Sequence, residues 1–184
     1  MLNYSVAELR TYLFDMNDKG NIIDQRPPFL PMLIGTGCGS GFWPWGPGTA
    51  GSVLATIIWG FLGLWLPTST LSVVTLSLVV VFTVLGTWAT KRLQPFWGED
   101  PSRVVVDEMV GVWLPLIVVD AKEWGWAIVA LVLFRFFDIV KPLGIKKLDR
   151  MKGAFWVMGD DLLGGVYALI VLVVAMQVAK LLAA

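Results

Sequence analysis

Residues 162–182, LLGGVYALIVLVVAMQVAKLL, carry a single charged side chain, Lys180, and are otherwise almost entirely apolar. A helix needs about 20 such residues to cross the hydrocarbon core of a bilayer. Residues 70–90, TLSVVTLSLVVVFTVLGTWAT, form a second stretch of that length. Charged residues make up 15% of the chain and hydrophobic residues 57%, whereas soluble domains have about 25% charged residues. The sequence therefore predicts a helical membrane protein.

Three shorter apolar stretches, 52–66, 105–119 and 124–140, need flanking residues or a locally thinned bilayer to cross it. The stretch 29–45, FLPMLIGTGCGSGFWPW, is also apolar, but its glycines and prolines disfavour an uninterrupted spanning helix. It is predicted to form a short helix that leads into a re-entrant or surface loop. The predicted fold is an all-α, polytopic membrane helical bundle with about five spans.

The first 28 residues differ in character from the rest of the chain. They are polar, with four apolar residues spaced so that they share one face of a short amphipathic helix: Leu2, Val6, Leu9 and Leu13. Such a helix is predicted to pack on the domain or on the membrane surface. The predicted organisation is a cytoplasmic amphipathic segment, 1–28, followed by one membrane-embedded domain, 29–184.

Lysine and arginine alternate between the predicted connections. They are present in 1–28, 91–103 and 141–152, whereas the turn near Pro67 has none and the connection after the third stretch has only Lys122. Because cytoplasmic loops are enriched in these residues, the N-terminus is predicted in the cytoplasm and the C-terminus outside. If 29–45 spans the bilayer, the N-terminus is on the other side and the later loops keep their assignment.

Two residue counts narrow the chemistry. The chain has no histidine and a single cysteine, Cys38, so histidine bases, imidazole metal sites and thiolate cages are excluded. Any metal must be a hard cation with oxygen ligands, such as Mg²⁺ or Mn²⁺. The formal net charge is zero, which gives no indication of a nucleic-acid partner.

Two acidic pairs, Asp107–Glu108 and Asp160–Asp161, lie at predicted helix starts on the cytoplasmic side. A charged group at the centre of a span costs about 2.5–3.5 kcal/mol or more, so such groups persist mainly where they have partners or a function. One interpretation is simple stabilisation of helix N-termini. The other is a metal site; because neighbouring helical residues point about 100° apart, one member of each pair is expected to bind the ion. The other member would hold a base, a water or a cation.

Arg135, Asp138 and Lys141 are spaced three residues apart, and Pro142 is expected to end their helix. They are either an intrahelical pair that neutralises itself or a phosphate site. In the second interpretation the guanidinium binds phosphate oxygens and Asp138 orients it or joins the metal.

The glycine-rich run 35–52 precedes the first long helix. Glycines at a helix start allow backbone N–H groups to approach a phosphate closely, although the Gly-Lys-Ser/Thr ending of a Walker A loop is missing. The alternative is a tight turn with Thr49 or Ser52 as the N-cap.

Four strings occur in an order that resembles the phosphatidylglycerophosphatase A family: GSGFWPWGPGTAGS, VVDEMVGVW, FRFFDIVKP and LDRMKGAFWVMGDDLLGG. The resemblance covers about residues 33–170. It implies a multi-pass enzyme of the bacterial inner membrane with its active site facing the cytoplasm. Such an enzyme hydrolyses phosphatidylglycerophosphate to phosphatidylglycerol and inorganic phosphate with Mg²⁺. The substrate and the lipid bilayer are the expected partners.

The resemblance and the charge pattern together give three groups of site residues, with Asp149 an additional member of the last motif. The expected catalytic residues are Asp107, Glu108, Asp138, Asp160 and Asp161; the expected Mg²⁺ ligands are Asp107, Glu108, Asp160 and Asp161; the expected phosphate-binding residues are Arg135, Lys141, Arg150, Gly48, Thr49, Gly51 and Ser52. Attack by water and an aspartyl-phosphate intermediate both fit these residues.

Two other functions use the same acidic residues. A phospholipid-headgroup transferase also places aspartates at a membrane surface, but its Asp-Gly-x-x-Ala-Arg run is absent from the sequence. A cation transporter is expected to have a site near the bilayer midplane, often within a repeated architecture. Here the charges converge on one predicted face, and the sequence shows no repeat.

Overall fold

The computed structural model describes residues 26–142 and 144–184, so the predicted amphipathic helix near the N-terminus lies outside the described residues. The described residues are helical, with no strand among them, which confirms the all-α prediction. The helices are α1 Phe29–Gly35, α2 Pro47–Gly63, α3 Thr68–Trp97, α4 Val106–Leu116, α5 Trp124–Val140, α6 Ile145–Asp149 and α7 Ala154–Ala183. A short 3₁₀ turn, Ser40–Phe42, lies between α1 and α2.

Two helices, α3 and α7, are long and apolar enough to cross a membrane, with 30 residues each. Only 22% of the apolar window of each is buried. Most of their apolar surface therefore faces outward, as expected of helices that contact lipid. The other three apolar stretches form α2, α4 and α5, with 17, 11 and 17 residues.

Helix α4 is the centre of the core. Its residues Val106, Val110, Val112 and Leu116 have no exposed surface, and the helix packs against α2, α3, α5 and α7. The indole Nε1 of Trp113 donates a 3.0 Å hydrogen bond to the carbonyl oxygen of Ala55 and so ties α4 to α2. At 1.5 Å per residue α4 is about 16 Å long, roughly half the ~30 Å hydrocarbon core. It is a buried core helix.

Helices α4 and α7 approach each other closely at a pair of glycines. A Cβ atom on Gly165 would lie 2.4 Å from the carbonyl oxygen of Gly111, and one on Gly111 would lie 2.9 Å from the carbonyl oxygen of Asp161. Small residues allow such backbone contact between helices in membranes. Asp107 precedes Gly111 by one turn and Asp161 precedes Gly165 by one turn, so the crossing brings the two carboxylates side by side.

The end of α5 and the start of α7 bear on two of the predictions. Helix α5 ends at Val140, and Lys141 takes a left-handed conformation before Pro142. This confirms the helix end that was predicted from Pro142. Helix α7 begins at Ala154, well before the apolar run that starts at 162. Asp160 and Asp161 therefore lie in its second turn, and the helix-start interpretation is wrong for this pair. The stretch 29–45 forms the predicted short helix, since α1 ends at Gly35.

Candidate active site

All the acidic residues singled out by the sequence, together with Lys141 and Arg150, line a cleft of about 380 Å³. It is bounded by the first residues of α2 and α4, the connection after α3, the end of α5, and the segment from Asp149 into α7. Its charged lining residues are Glu99, Asp100, Asp107, Glu108, Asp138, Lys141, Asp149, Arg150, Lys152, Asp160 and Asp161. Both acidic pairs therefore reach one cavity.

Three carboxylates form the centre of the cleft: Asp107, Glu108 and Asp161. One oxygen from each lies within 4.8 Å of the other two. Asp107 and Asp161 are 7% and 4% exposed, and Oε2 of Glu108 is buried without a hydrogen-bond partner in the described part of the chain. Grouped buried carboxylates repel one another and need a cation or a proton. An all-oxygen donor set of this kind fits a divalent hard cation.

The two acidic pairs behave differently. In the pair on α7, Asp161 belongs to the carboxylate trio and Asp160 binds Lys141, as expected from the 100° rotation between neighbouring residues. In the pair on α4, both Asp107 and Glu108 belong to the trio, contrary to that expectation. The longer Glu108 side chain turns back beside the start of α2, where Gly48 leaves room for it.

Gly48 makes this arrangement sterically feasible. A Cβ atom at this position would lie 2.0 Å from Oε1 of Glu108 and 3.0 Å from Nη1 of Arg135. A larger residue would force the flexible end of the Glu108 side chain to shift. Gly48 thus leaves room for the Glu108 carboxylate in addition to lining the cleft.

Lys141 connects α5 to the segment that follows it and to α7. Its Nζ donates a 2.7 Å hydrogen bond to Oδ2 of Asp160 and a second one to Oδ1 of Asp149. Partial burial disfavours its charge, but the hydrogen bonds and the two negative charges outweigh that effect and raise the pKa of Lys141 above its usual value. The ammonium stays charged at neutral pH, with two carboxylates as its partners.

Arg135 and Asp138 form the intrahelical pair that the sequence left as one alternative. Nη1 of Arg135 lies 2.6 Å from Oδ2 of Asp138. The contact is an ion pair without hydrogen-bond geometry, because Nε and Nη1 have no hydrogen-bond partner among the described residues. Asp138 lines the cleft but Arg135 does not. The guanidinium lies behind Gly48, where its charge faces Glu108.

The other predicted residues of the glycine-rich run point away from the trio. The Ser52 hydroxyl donates 2.8 Å to the carbonyl of Gly48 within α2, and a Cβ on Gly51 would lie 2.8 Å from Val105. Thr49 is exposed and lines a different cavity. Gly46 takes the cap position of α2 with no side-chain cap. The N-cap interpretation for Thr49 and Ser52 is therefore wrong.

Three cations line the cleft. Lys141 is paired as described, and Lys152 lies 3.4 Å from Glu99 at the exposed rim. Arg150 has no carboxylate partner in the described ranges and lines the cleft. Glu99 and Lys152 also line the cleft but were not predicted as site residues. The available signal was that Lys152 lies within the last family-like string, LDRMKGAFWVMGDDLLGG, and that Glu99 lies in the charged connection 91–103.

The fold and the cleft together indicate the class of protein. It is a helical protein whose long apolar helices face outward, and its cleft holds an all-oxygen acidic site beside cationic side chains. The model of one family, phosphatidylglycerophosphatase A, matches residues 33–176. The chain belongs to the phosphatidylglycerophosphatase A family, and it is a phosphatase.

Three relatives are named as lipid phosphatases, two of them as phosphatidylglycerophosphatase A. A Bacteroides thetaiotaomicron protein, provisionally named a phosphatidylinositol-3-phosphatase, is 58% identical over 153 residues, which cover 82% of this chain and 96% of the relative. The phosphatidylglycerophosphatase A of Haemophilus influenzae is 36% identical over 76% of this chain and 84% of its own length. That of Escherichia coli is 33% identical over 73% of this chain and 76% of its own length. No solved structure gives a significant match.

Proposed function

We propose that this phosphatase hydrolyses phosphatidylglycerophosphate to phosphatidylglycerol and inorganic phosphate, using Mg²⁺. The observation that carries the proposal is the Asp107–Glu108–Asp161 trio in a cleft beside Arg150, a cation that has no carboxylate partner among the described residues. Two relatives whose alignments cover about three quarters of this chain are named for this reaction. The outward-facing apolar surfaces of α3 and α7 fit an enzyme whose substrate lies in a bilayer.

The trio is the proposed Mg²⁺ site, since its oxygens lie within 4.8 Å of one another and Oε2 of Glu108 has no hydrogen-bond donor among the described residues. A bound Mg²⁺ supplies Lewis-acid polarisation of the phosphoryl group and lowers the pKa of bound water. Asp160 is not a proposed ligand of this site, because its carboxylate accepts a hydrogen bond from Lys141. We therefore assign Asp160 a positioning role, in place of the ligand role expected from the sequence.

Arg150 is the proposed phosphate ligand, because the other two cations of the cleft already have carboxylate partners. Arginine can bind two phosphate oxygens at once and stabilise the charge that develops in phosphoryl transfer. Asp138 lines the cleft, and Arg135 lies beside Gly48 outside it, where the guanidinium offsets the charge of Glu108. Water is the proposed nucleophile: Asp138 and Asp160 are ion-paired and the trio is assigned to the metal, so an aspartate nucleophile would have to leave its partner.

The cleft is proposed to face the cytoplasm, with α2, α4 and α5 embedded beside α3 and α7 in the inner membrane. The basic residues of the connections around the cleft support this orientation.

The single cysteine offers a test of this orientation, because Cys38 is exposed and precedes α2. A membrane-impermeant thiol reagent is expected to label it in inside-out vesicles and not in intact spheroplasts. The reverse pattern would overturn the orientation and leave the chemistry intact.

A second candidate substrate is phosphatidylinositol 3-phosphate. It is favoured by the 58% identical relative that is provisionally named for this activity. Both lipids present a phosphate monoester on the headgroup, so the same trio and the same arginine serve either substrate. The difference lies in the alcohol, a glycerol in one case and an inositol ring in the other.

The deciding experiment is phosphate release from each lipid in detergent micelles, with Mg²⁺ and with excess chelator. Chelator-sensitive release is expected, and Asp161→Asn should abolish it. Asp120→Asn is the matched control, because Asp120 accepts a hydrogen bond from the Thr68 hydroxyl and does not line the cleft. No release from either lipid by folded protein would refute the proposed reaction. Preference for the inositol lipid would exchange the first substrate for the second.

A further inference from the structure

A second cavity, of about 460 Å³, runs along the outer face of α2. It is an apolar groove, and the residues that line it are Trp43, Trp45, Gly46, Thr49, Ala50, Val53, Leu54 and Ile57. From Gly46 onward these positions recur at helical spacing, so they form one face of α2. Trp45 is 87% exposed and Ile57 is 57% exposed. The groove is therefore open to the surroundings along its length.

The groove and the acidic cleft meet at the first turn of α2. Pro47 and Gly48 line the cleft, whereas Gly46 and Thr49 line the groove. Gly46 has a φ of 148°, a conformation that only glycine adopts readily, and it turns the chain from Trp45 into the helix. The cleft and the groove therefore lie on different faces of the same helical turn.

The length and the ends of the groove match one leaflet of a bilayer. The step from Gly46 to Ile57 covers about 16 Å at 1.5 Å per residue, close to half of the ~30 Å hydrocarbon core. The end beside the cleft carries Trp43 and Trp45, whose rings pack edge to face with centroids 6.2 Å apart. Tryptophan is enriched where the hydrocarbon core meets the headgroups.

We propose that this groove holds one acyl chain of the phospholipid whose phosphate lies in the acidic cleft. The inference rests on the proposed function, since it takes the cleft as the phosphate site. Lipid tails are as apolar as the groove, so the groove adds little affinity over the bilayer. Its effect is orientation: a chain fixed along α2 fixes the glycerol backbone and thereby places the phosphate against the trio.

Ala50 offers the sharpest test, because a large side chain there fills the groove one turn from the cleft. In Ala50→Trp, kcat/KM for a dioleoyl substrate is expected to fall by at least about tenfold, while a dibutanoyl analogue changes less than about twofold. Val132→Trp is the matched control. Val132 is 61% exposed on α5 and outside the groove, so both substrates should be hydrolysed as by the wild type.

A second variant, Ile57→Trp, closes the far end of the groove. It is expected to lower the rate on dioleoyl substrate and to spare a dioctanoyl one, whose chains end before this position. Unchanged dioleoyl hydrolysis in Ala50→Trp would overturn the acyl-chain proposal and leave the proposed reaction standing. An equal loss on long and short chains, with or without a change of oligomer size, would also overturn it. A wild type that hydrolyses neither chain length would instead refute the reaction itself.

Discussion

Replacing Gly165 by alanine tests whether the α4–α7 crossing sets the geometry of the carboxylate trio. The added Cβ would lie 2.4 Å from the carbonyl oxygen of Gly111, where ordinary van der Waals contact begins at 3.4 Å. The obstacle is backbone, so the two helices have to separate by about 1 Å at this level. Asp107 and Asp161 lie one turn away on these helices, and the gap between their oxygens widens accordingly.

A 1 Å misplacement of a catalytic group can cost about 10²-fold in rate, and overpacking in a core costs about 1–3 kcal/mol of stability. We therefore expect Gly165→Ala to lower kcat by about two orders of magnitude and to raise the Mg²⁺ concentration for half-maximal activity. The assay is phosphate release across a Mg²⁺ titration, accompanied by thermal unfolding in detergent.

The control for this experiment is Gly159→Ala, on the same helix. Among the described residues, a Cβ there would meet only Trp156, at an ordinary 3.5 Å, and alanine is the better helix former by roughly 1 kcal/mol. Its activity and metal requirement should equal those of the wild type. Wild-type activity and Mg²⁺ requirement in Gly165→Ala would refute the reasoning, because the close crossing would then have no bearing on the trio.

Gly48→Ala would place a Cβ 2.0 Å from the flexible carboxylate of Glu108, so the Mg²⁺ requirement should rise about tenfold at an unchanged melting temperature; an unchanged requirement would contradict this. Ser52→Ala removes a hydroxyl bonded inside α2, so stability should fall by about 0.5–1.5 kcal/mol with KM unchanged, whereas a large rise in KM would restore a phosphate role. Lys141→Met leaves Asp160 without its cation, and unfolding in denaturant should show a loss of about 1.5–3 kcal/mol. Because the pKa of Lys141 is raised in the fold, its contribution is fully present below the unfolded pKa of about 10.4 and is lost only at higher pH; a loss already between pH 6 and 9 would contradict the assignment.

Hydrophobic patterning predicted the helical class and the place of each apolar helix, because runs of apolar residues without turn signals are helical in such a composition. It did not distinguish the roles of those helices. The run 105–119 has the composition of a short span, yet α4 is buried on all sides. Burial depends on which neighbours surround a helix, and that information is absent from a single stretch of sequence.

For the candidate site, too, the sequence predicted some features and could not predict others. The clustering of Asp107 with Asp161 followed from two acidic pairs on one predicted face, and the loss of helix at Lys141 followed from Pro142. The sequence placed Ser52 and Gly51 with the phosphate because glycine and serine at a helix start favour anion binding. Their actual roles, a hydrogen bond within α2 and contact with Val105, depend on tertiary packing.

The construction of the trio has a consequence for biogenesis. Two of its carboxylates come from α4 and the third from α7, the last helix of the described chain to leave the ribosome. A nascent chain that ends before α7 lacks the third carboxylate and the backbone of α7 that approaches Gly111. With the trio as the proposed Mg²⁺ site, phosphatase activity is expected only after α7 has inserted and docked. A chain that lacks α7 is therefore expected to be unable to act on the lipids of the membrane.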